Sequence, residues 1–161
     1  MELMAAFSDA SFWLALGSII VANILLSGDN AVVIALASRN LQPKQQKTAI
    51  FYTSAITQAE LLLGVALLPN GKRRDLIAGA IEQMFKQDFI GLCLPFDDLA
   101  AQEYATLVAM RTHSGLPIST EDAQIAAIAL RHEFALATRN TKDFINIVGL
   151  TLLDPWSTFA P

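Results

Sequence analysis

The sequence has a single cysteine and no basic residue before Arg39. Because Cys93 is alone among 161 residues, a disulfide framework and a metal site built from several cysteines are excluded. A secretory signal begins with a basic stretch, so the absence of early Lys and Arg argues against a cleaved signal peptide. From Arg39 onward the eleven basic residues are nearly balanced by acids. That balance excludes a broad basic surface for binding nucleic acid.

Long uncharged stretches dominate the N-terminal third. Residues 12–26 read FWLALGSIIVANILL, and after Ser27–Asn30 the apolar character resumes as AVVIALA. The combined run exceeds the roughly 20 residues that a membrane-spanning helix needs, so it predicts one transmembrane helix over about 10–38. Basic residues follow the run from Arg39, and a basic flank normally stays in the cytoplasm. We therefore expect inner-membrane association with a cytoplasmic C-terminal part, or a cytoplasmic chain if the segment does not insert.

One acidic residue interrupts this apolar run. Asp29 and Asn30 belong to the sequence SGDNA, and an acid inside a membrane helix usually marks an ion pathway. The stretch from Phe12 to Phe51 resembles the opening of TerC-family integral membrane proteins, whose first helix carries the same motif. The resemblance covers about residues 1–50 and implies a membrane protein linked to metal-ion handling. A polar interruption near one membrane interface is the alternative interpretation of Asp29.

Strands alternate with helices in the rest of the chain. The segments TSAIT, CLPFD, FALATRN and TLLDPW predict strands. Apolar residues at helical spacing predict helices over Gln58–Leu68, Lys72–Phe89, Leu99–Thr112 and Thr120–Glu133. This order predicts an α/β fold in which helices cover both faces of a parallel sheet.

Acidic residues recur where predicted strands lead into helices, which is the edge at which open α/β sheets bind ligands. Glu60 follows TSAIT, Asp122 opens the fourth helix, and Asn140 and Asp143 follow FALAT. Oxygen ligands that converge there suit Mg²⁺ or Mn²⁺, and such ions activate water for phosphodiester hydrolysis. The first two acids also complete capping-box patterns with a Thr or Ser three residues earlier, so helix capping is an open alternative.

Four blocks of the C-terminal part agree in order and spacing with one known family. They are TSAITQAELLLGVALLPNGKRR, LPFDDLAAQEYA, ISTEDAQIAAIALRHEFALATRNTKDF and LLDPW, over about residues 52–156. The blocks resemble PIN-domain toxins of the VapC type, particularly the FitB-like branch. The resemblance implies a Mg²⁺-dependent (or Mn²⁺-dependent) endoribonuclease of a toxin–antitoxin pair, usually a homodimer and silenced by a cognate antitoxin. It also divides the chain into a membrane segment over 1–50 and a nuclease domain over 52–161.

The resemblance assigns roles to individual residues. Glu60 matches the family's acid after the second strand and Asp122 the acid that opens the fourth helix, so both are predicted to be catalytic metal ligands. Asn140 stands where many relatives have a further aspartate. Either Asp143 takes that part or Asn140 contributes its oxygen to the metal. Substrate-binding residues follow from the same match, which places Thr138 and Arg139 beside the metal ions, where they would orient water or phosphate.

The family's first strand has no counterpart in the sequence. Such domains begin with a central strand that ends in aspartate, of the form Leu-Asp-Thr-Asn, and here the membrane-like segment takes its place. We therefore expect a truncated PIN-like domain with a weakened fold and low activity. Ala31–Ala37 is apolar enough to serve as a substitute strand, with Leu41–Ile50 as a crossover helix. It would end at Ser38–Asn40 without a carboxylate. The competing function is that of a TerC-like membrane protein fragment.

Overall fold

The computed structural model describes residues 32–35 and 51–154. The strands are β1 (Val32–Ala35), β2 (Phe51–Ser54), β3 (Cys93–Leu94), β4 (Ala135–Thr138) and β5 (Thr151–Leu153). The helices are α1 (Ala55–Leu67), α2 (Lys72–Gln87), α3 (Asp98–His113), α4 (Thr120–Arg131) and α5 (Thr141–Phe144). The alternation of strands and helices predicted from residue 53 onward is confirmed.

The strand β1 lies in the middle of a five-stranded sheet with the order β3-β2-β1-β4-β5. β2 pairs with β3 in parallel, and so does β4 with β5, but β1 runs antiparallel to both of its neighbours. The four outer strands therefore share one direction. The prediction of a parallel sheet is wrong for the central strand. β1 occupies the central position that was predicted to lack the family's usual first strand.

The substitute strand predicted at Ala31–Ala37 forms over Val32–Ala35, in the direction opposite to the expected one. Ile34 pairs with Tyr52 on one side and Val32 pairs with Thr138 on the other. A parallel pair would need a long crossover connection, whereas an antiparallel pair does not. The predicted crossover helix Leu41–Ile50 lies outside the described residues. Since β2 and β4 both have a partner, the unpaired backbone on which the expected weakness of the fold rested is absent from these two strands.

The predicted transmembrane helix over 10–38 is wrong at Val32–Ala35, because these four residues form a strand. The rest of that segment, with Asp29 and Asn30, lies outside the described residues. Across residues 32–35 and 51–154, every helix is too short or too polar to cross a membrane. Association with the inner membrane stays a prediction.

Helices pack on both faces of the sheet, as predicted. Leu136 and Ala137 show this division, because neighbouring residues of a strand point to opposite faces. Ala137 belongs to a buried cluster with residues of α1 and α2, and Leu136 belongs to a second cluster with residues of α3 and α4. Seven of the twelve residues of α4 are buried, and all but one of them are alanine or isoleucine. The alanines among them let α4 pack closely against α3.

The segment TSAIT was predicted to be a strand, and this is wrong for most of its length. β2 ends at Ser54 and α1 begins at Ala55, three residues before the predicted start. The Ser54 hydroxyl accepts a hydrogen bond of 2.9 Å from the Thr57 amide and forms a second, also of 2.9 Å, with the Thr57 hydroxyl. This N-cap outweighs the β-propensity of the branched residues that follow.

Candidate functional site

The candidate site lies where β2 and β4 end. Both strands run antiparallel to β1, so their carboxyl ends meet at the same edge of the sheet. β2 leads directly into α1, which carries Glu60 in its second turn. β4 ends at Thr138 and leads through Asn140 into the single turn of α5, which carries Asp143.

Asp122 lies in the first turn of α4 and is 6% exposed. The Ser119 hydroxyl donates a hydrogen bond of 2.8 Å to Asp122 Oδ2 and accepts one of 3.1 Å from the Asp122 amide. Ser119 is therefore the N-cap of α4, as the capping pattern predicts, but the Asp122 carboxylate accepts its bond from the Ser119 hydroxyl and not from a helix amide. This bond engages one carboxylate oxygen, Oδ2, so Asp122 can still offer Oδ1 to a ligand.

Glu60 does not cap α1. The N-cap is Ser54, and the first turn of the helix contains no acid. The capping box predicted for Thr57 and Glu60 is wrong, since Thr57 is buried and bonds back to Ser54. Glu60 is half-buried one turn further along the helix. A half-buried carboxylate without a capping role is a candidate for ligand binding.

A short hydrogen-bonded turn follows β4. The Thr138 side chain is 1% exposed, and its hydroxyl accepts a bond of 3.0 Å from the Asn140 amide. Asn140 Nδ2 donates a bond of 2.5 Å to Asp143 Oδ2. The side-chain nitrogen Nδ2 of Asn140 therefore faces Asp143 and restrains the Asp143 carboxylate. Arg139, which stands between Thr138 and Asn140 in the sequence, is exposed.

The carboxylates of the site act on each other electrostatically. Burial raises the pKa of Glu60, and the charges of Asp122 and Glu121 raise it further. Burial also raises the pKa of Asp122, and the charges of Asp143 and Glu121 add to this effect, although the Ser119 hydrogen bond opposes it. Asp122 thus interacts electrostatically with Glu60 and with Asp143. The sequence analysis missed the effect of the Glu121 charge on these two pKa values. The position of Glu121 directly before Asp122 could have indicated it.

The donor set fits a divalent cation in kind. Mg²⁺ and Mn²⁺ prefer carboxylate oxygens, and a cation would offset the burial and the smaller charge repulsion that raise both pKa values. In the part of the chain that the structure describes, no three His, Cys, Asp or Glu side chains lie close enough together to form a metal-binding group.

Comparison with known proteins assigns the fold to a family. The chain is 41% identical to the plasmid stability protein StbB of Pseudomonas syringae, over 69% of this chain and 79% of that protein. It is 41% identical to the VapC ribonuclease Y4jK of Sinorhizobium fredii over the same shares. Ribonuclease VapC1 of Rickettsia felis is 33% identical, over 78% of this chain and 92% of that protein. The chain belongs to the VapC/FitB family of PIN-domain toxins.

The solved structure of FitAcB from Neisseria gonorrhoeae contains a chain with the same fold. It superposes with a TM-score of 0.60 at 41% identity, over 65% of this chain and 75% of that one. VapBC-1 of Haemophilus influenzae gives a TM-score of 0.58 at 26% identity, over 74% of this chain and 80% of that one. The PIN-like α/β fold expected from the sequence is confirmed.

A second family match overlaps the VapC-like part. The model of the integral membrane protein TerC family matches residues 8–67. This match ends beyond the limit near residue 50 that the sequence predicted. It includes β1, β2 and α1. In the structure β1 and β2 are strands of the sheet, and α1 is one of the helices that cover it. The TerC-like sequence therefore contributes the central strand of a VapC-family fold.

The raised pKa of Glu60 predicts a pH-dependent effect of the Glu60→Gln variant. Well below the ordinary pKa of 4.5, the Glu60 carboxyl is protonated in the folded and the unfolded chain, so it does not lower the free energy of unfolding. As the pH rises from that value to the higher folded-state pKa, the unfolded chain ionises first and the folded state is destabilised. In EDTA, Glu60→Gln should therefore raise the melting temperature at neutral pH and have little effect near pH 4.

The control for this measurement is Glu82→Gln. Glu82 is exposed, and its hydrogen bond and ion pair with Lys86 lower its pKa. This variant should give no gain at neutral pH. Equal changes in the melting temperature of Glu60→Gln at both pH values would contradict the expected ionisation effect.

Proposed function

We propose that this chain is an endoribonuclease that hydrolyses phosphodiester bonds of RNA at the edge formed by β2 and β4, with Mg²⁺ or Mn²⁺ as its cofactor. The observation that carries the proposal is that β2 and β4 end at one edge of the sheet, where Glu60 of α1 and the buried Asp122 of α4 lie near enough for the charge of Asp122 to raise the pKa of Glu60. The names of two relatives support the reaction class, since both are ribonucleases.

The side chains of the site have separate tasks in this proposal. Glu60 and Asp122 would hold the cation. The Asp143 carboxylate, which Asn140 restrains through its 2.5 Å hydrogen bond, would act on the site through its charge on Asp122. When bound, the cation neutralises phosphate charge and makes a water nucleophilic at neutral pH. Ser119 orients the Asp122 carboxylate.

The two residues expected to bind substrate, Thr138 and Arg139, differ in solvent exposure. Arg139 is exposed next to the site, so its guanidinium can bind a phosphate of the RNA backbone. Thr138 is buried, and its hydroxyl already accepts a bond from the Asn140 amide. Its part in this proposal is to hold the turn that carries Arg139 and Asn140, and its expected role in orienting water or phosphate stays a prediction.

Metal dependence is the direct test of the proposed reaction. Purified full-length chain should cleave single-stranded RNA with Mg²⁺ or Mn²⁺, and EDTA should stop the reaction. Restoring the metal should restore cleavage. Cleavage that continues in EDTA would contradict a mechanism based on these carboxylates.

A cognate antitoxin is the proposed protein partner. Similar chains were solved as parts of FitAB and VapBC assemblies. In this chain an apolar groove runs between α1 and α2, with Val65 and Ile81 in its lining and Leu62 at its side. Leu62 is 52% exposed. A large exposed apolar side chain beside an apolar groove favours a protein-binding surface, and a helix of the antitoxin would cover it.

Antitoxin binding is tested by co-expression with FitA, the partner of Toxin FitB in the solved FitAB assembly. The two should co-purify, and Leu62→Asp should abolish the complex because a carboxylate cannot be buried in an apolar groove without a partner. Leu99→Asp, at an exposed leucine of α3, is the matched control. Equal recovery of the partner with both variants would exclude the groove. Dimer formation stays a prediction.

A further inference from the structure

Arg111 lies in the last turn of α3 and is buried, with 7% of its surface exposed. Its guanidinium donates two hydrogen bonds of 2.9 Å, one from Nε to the Leu116 carbonyl and one from Nη1 to the Ile145 carbonyl. Within the part of the chain that the structure describes, no acid forms an ion pair with Arg111. Buried charges need partners, and here two backbone carbonyls take that place. One buried cation therefore joins two separate segments of the chain.

The first of these segments leads to Asp122. The Leu116 amide donates a bond of 2.9 Å to the Arg111 carbonyl, so Arg111 holds both backbone groups of Leu116. Three residues later Ser119 caps α4, and its hydroxyl donates the bond to Asp122 Oδ2. The anchor at Leu116 therefore restrains the start of α4 and the orientation of the Asp122 carboxylate.

The second segment carries Asp143. α5 is a single turn, Thr141–Phe144, and a helix this short has little stability of its own. The Ile145 amide donates a bond of 3.0 Å to the Thr141 carbonyl, and the Ile145 carbonyl accepts the bond from Arg111. The guanidinium thus anchors the C-terminal end of the turn on which Asp143 lies.

Arginine is suited to joining the two segments. Its guanidinium presents Nε and Nη1 as donors in one rigid plane, so two acceptors bound to it are fixed relative to each other. We propose that Arg111 is a positioning residue, whose bridge between Leu116 and Ile145 keeps the two carboxylate-bearing segments of the candidate site at a fixed separation. It would act through Asp122 and Asp143. This inference rests on the proposed function.

Mn²⁺ binding to the full-length chain tests the bridge, measured by electron paramagnetic resonance of the free ion. Arg111→Met keeps an apolar stem and removes both hydrogen bonds. The affinity should fall about tenfold or more, as it does when groups that orient metal ligands are removed. Electrostatics alone predicts the opposite sign, because the loss of a positive charge can only strengthen the binding of a cation. A weaker affinity therefore reports the position of the ligands.

Arg131→Met is the matched control. Arg131 lies in the last turn of α4, at the other end from Asp122, and in the described part of the chain its Nε has no hydrogen-bond partner. This variant removes the same charge and should bind Mn²⁺ at least as tightly as wild type does. Circular dichroism checks that each variant is folded. If Arg111→Met is unfolded, Arg111→Lys takes its place with the same expected loss, since an ammonium lacks the planar fork.

A covalent link should replace the missing arginine. Leu116 and Ile145 have exposed side chains, so Leu116→Cys and Ile145→Cys are added to the Arg111 variant in a Cys93→Ala background. A short bismaleimide that joins the two thiols should restore most of the lost Mn²⁺ affinity. N-ethylmaleimide, which modifies both thiols without joining them, should restore none. An affinity that stays low after complete cross-linking would contradict the bridge.

Glu60→Gln separates this inference from the proposed function. If Glu60→Gln loses Mn²⁺ and Arg111→Met binds it as wild type does, the role of Arg111 is refuted and the proposed function stands. If the wild type itself does not bind Mn²⁺, the proposed function fails and the inference fails with it. Equal losses in Arg111→Met and Arg131→Met would also refute the role of Arg111, because Arg131 takes no part in the bridge.

Discussion

RNA cleavage by the Glu60→Gln and Asp122→Asn variants is expected to fall at least about a hundredfold below that of the wild type. Each substitution replaces an anionic ligand by a neutral amide of the same shape, and charge stabilisation by a bound metal is worth several kcal/mol. Each 1.36 kcal/mol corresponds to about a tenfold change in rate. The measurement is single-turnover cleavage of a labelled RNA at saturating Mg²⁺.

The two variants should remain folded, which separates a loss of catalysis from a loss of structure. The asparagine in Asp122→Asn can still accept the Ser119 hydrogen bond, and Glu60 takes no part in the cap of α1. Asp88→Asn removes an exposed acid at the end of α2 and should cleave RNA as wild type does. A rate within threefold of the wild type for both site variants would exclude these carboxylates from the reaction.

Val33→Pro is expected to destabilise the protein by at least about 2 kcal/mol. Val33 pairs with Ala137 in the middle of the sheet, and all four residues of β4 are buried. Proline cannot donate a ladder hydrogen bond and is excluded from central strands. A buried backbone group left without a partner costs about 1–3 kcal/mol, and β1 has a neighbour on each side.

Urea unfolding followed by circular dichroism measures this effect. Val33→Thr is the matched control, because threonine keeps the backbone amide and the β-branched shape. The midpoint for Val33→Pro should fall well below that for Val33→Thr. Identical midpoints would show that β1 does not contribute to the stability of the sheet, and the weakened fold expected from the sequence would then describe this chain.

The helices and the outer strands could be predicted because their signals are local. Apolar spacing identified α2, α3 and α4 to within a few residues, and Ser119 with Asp122 identified the cap of α4. The error at the start of α1 has a local cause as well. Ile56 and Thr57 favour a strand, and the cap by Ser54 prevailed through a side-chain hydrogen bond that propensity does not include.

The roles of the site residues were only partly accessible from the sequence. The family resemblance selected Glu60 and Asp122, and their raised pKa values agree with a shared site. The hydrogen bond from Asn140 to Asp143 and the charge effect of Glu121 required the tertiary structure. Both depend on the distance and orientation of side chains, which residue types and spacing do not specify.

The sequence by itself determined that Ala31–Ala37 is suited to a central strand and that acids follow the strands of a VapC-like domain. Only the tertiary structure decided the direction of β1, and with it which end of the strand meets the site. The physical reason is that a short apolar strand has the same pattern in both directions, and its backbone can form parallel or antiparallel hydrogen bonds. The choice between them is made by the pairing with β2 and β4.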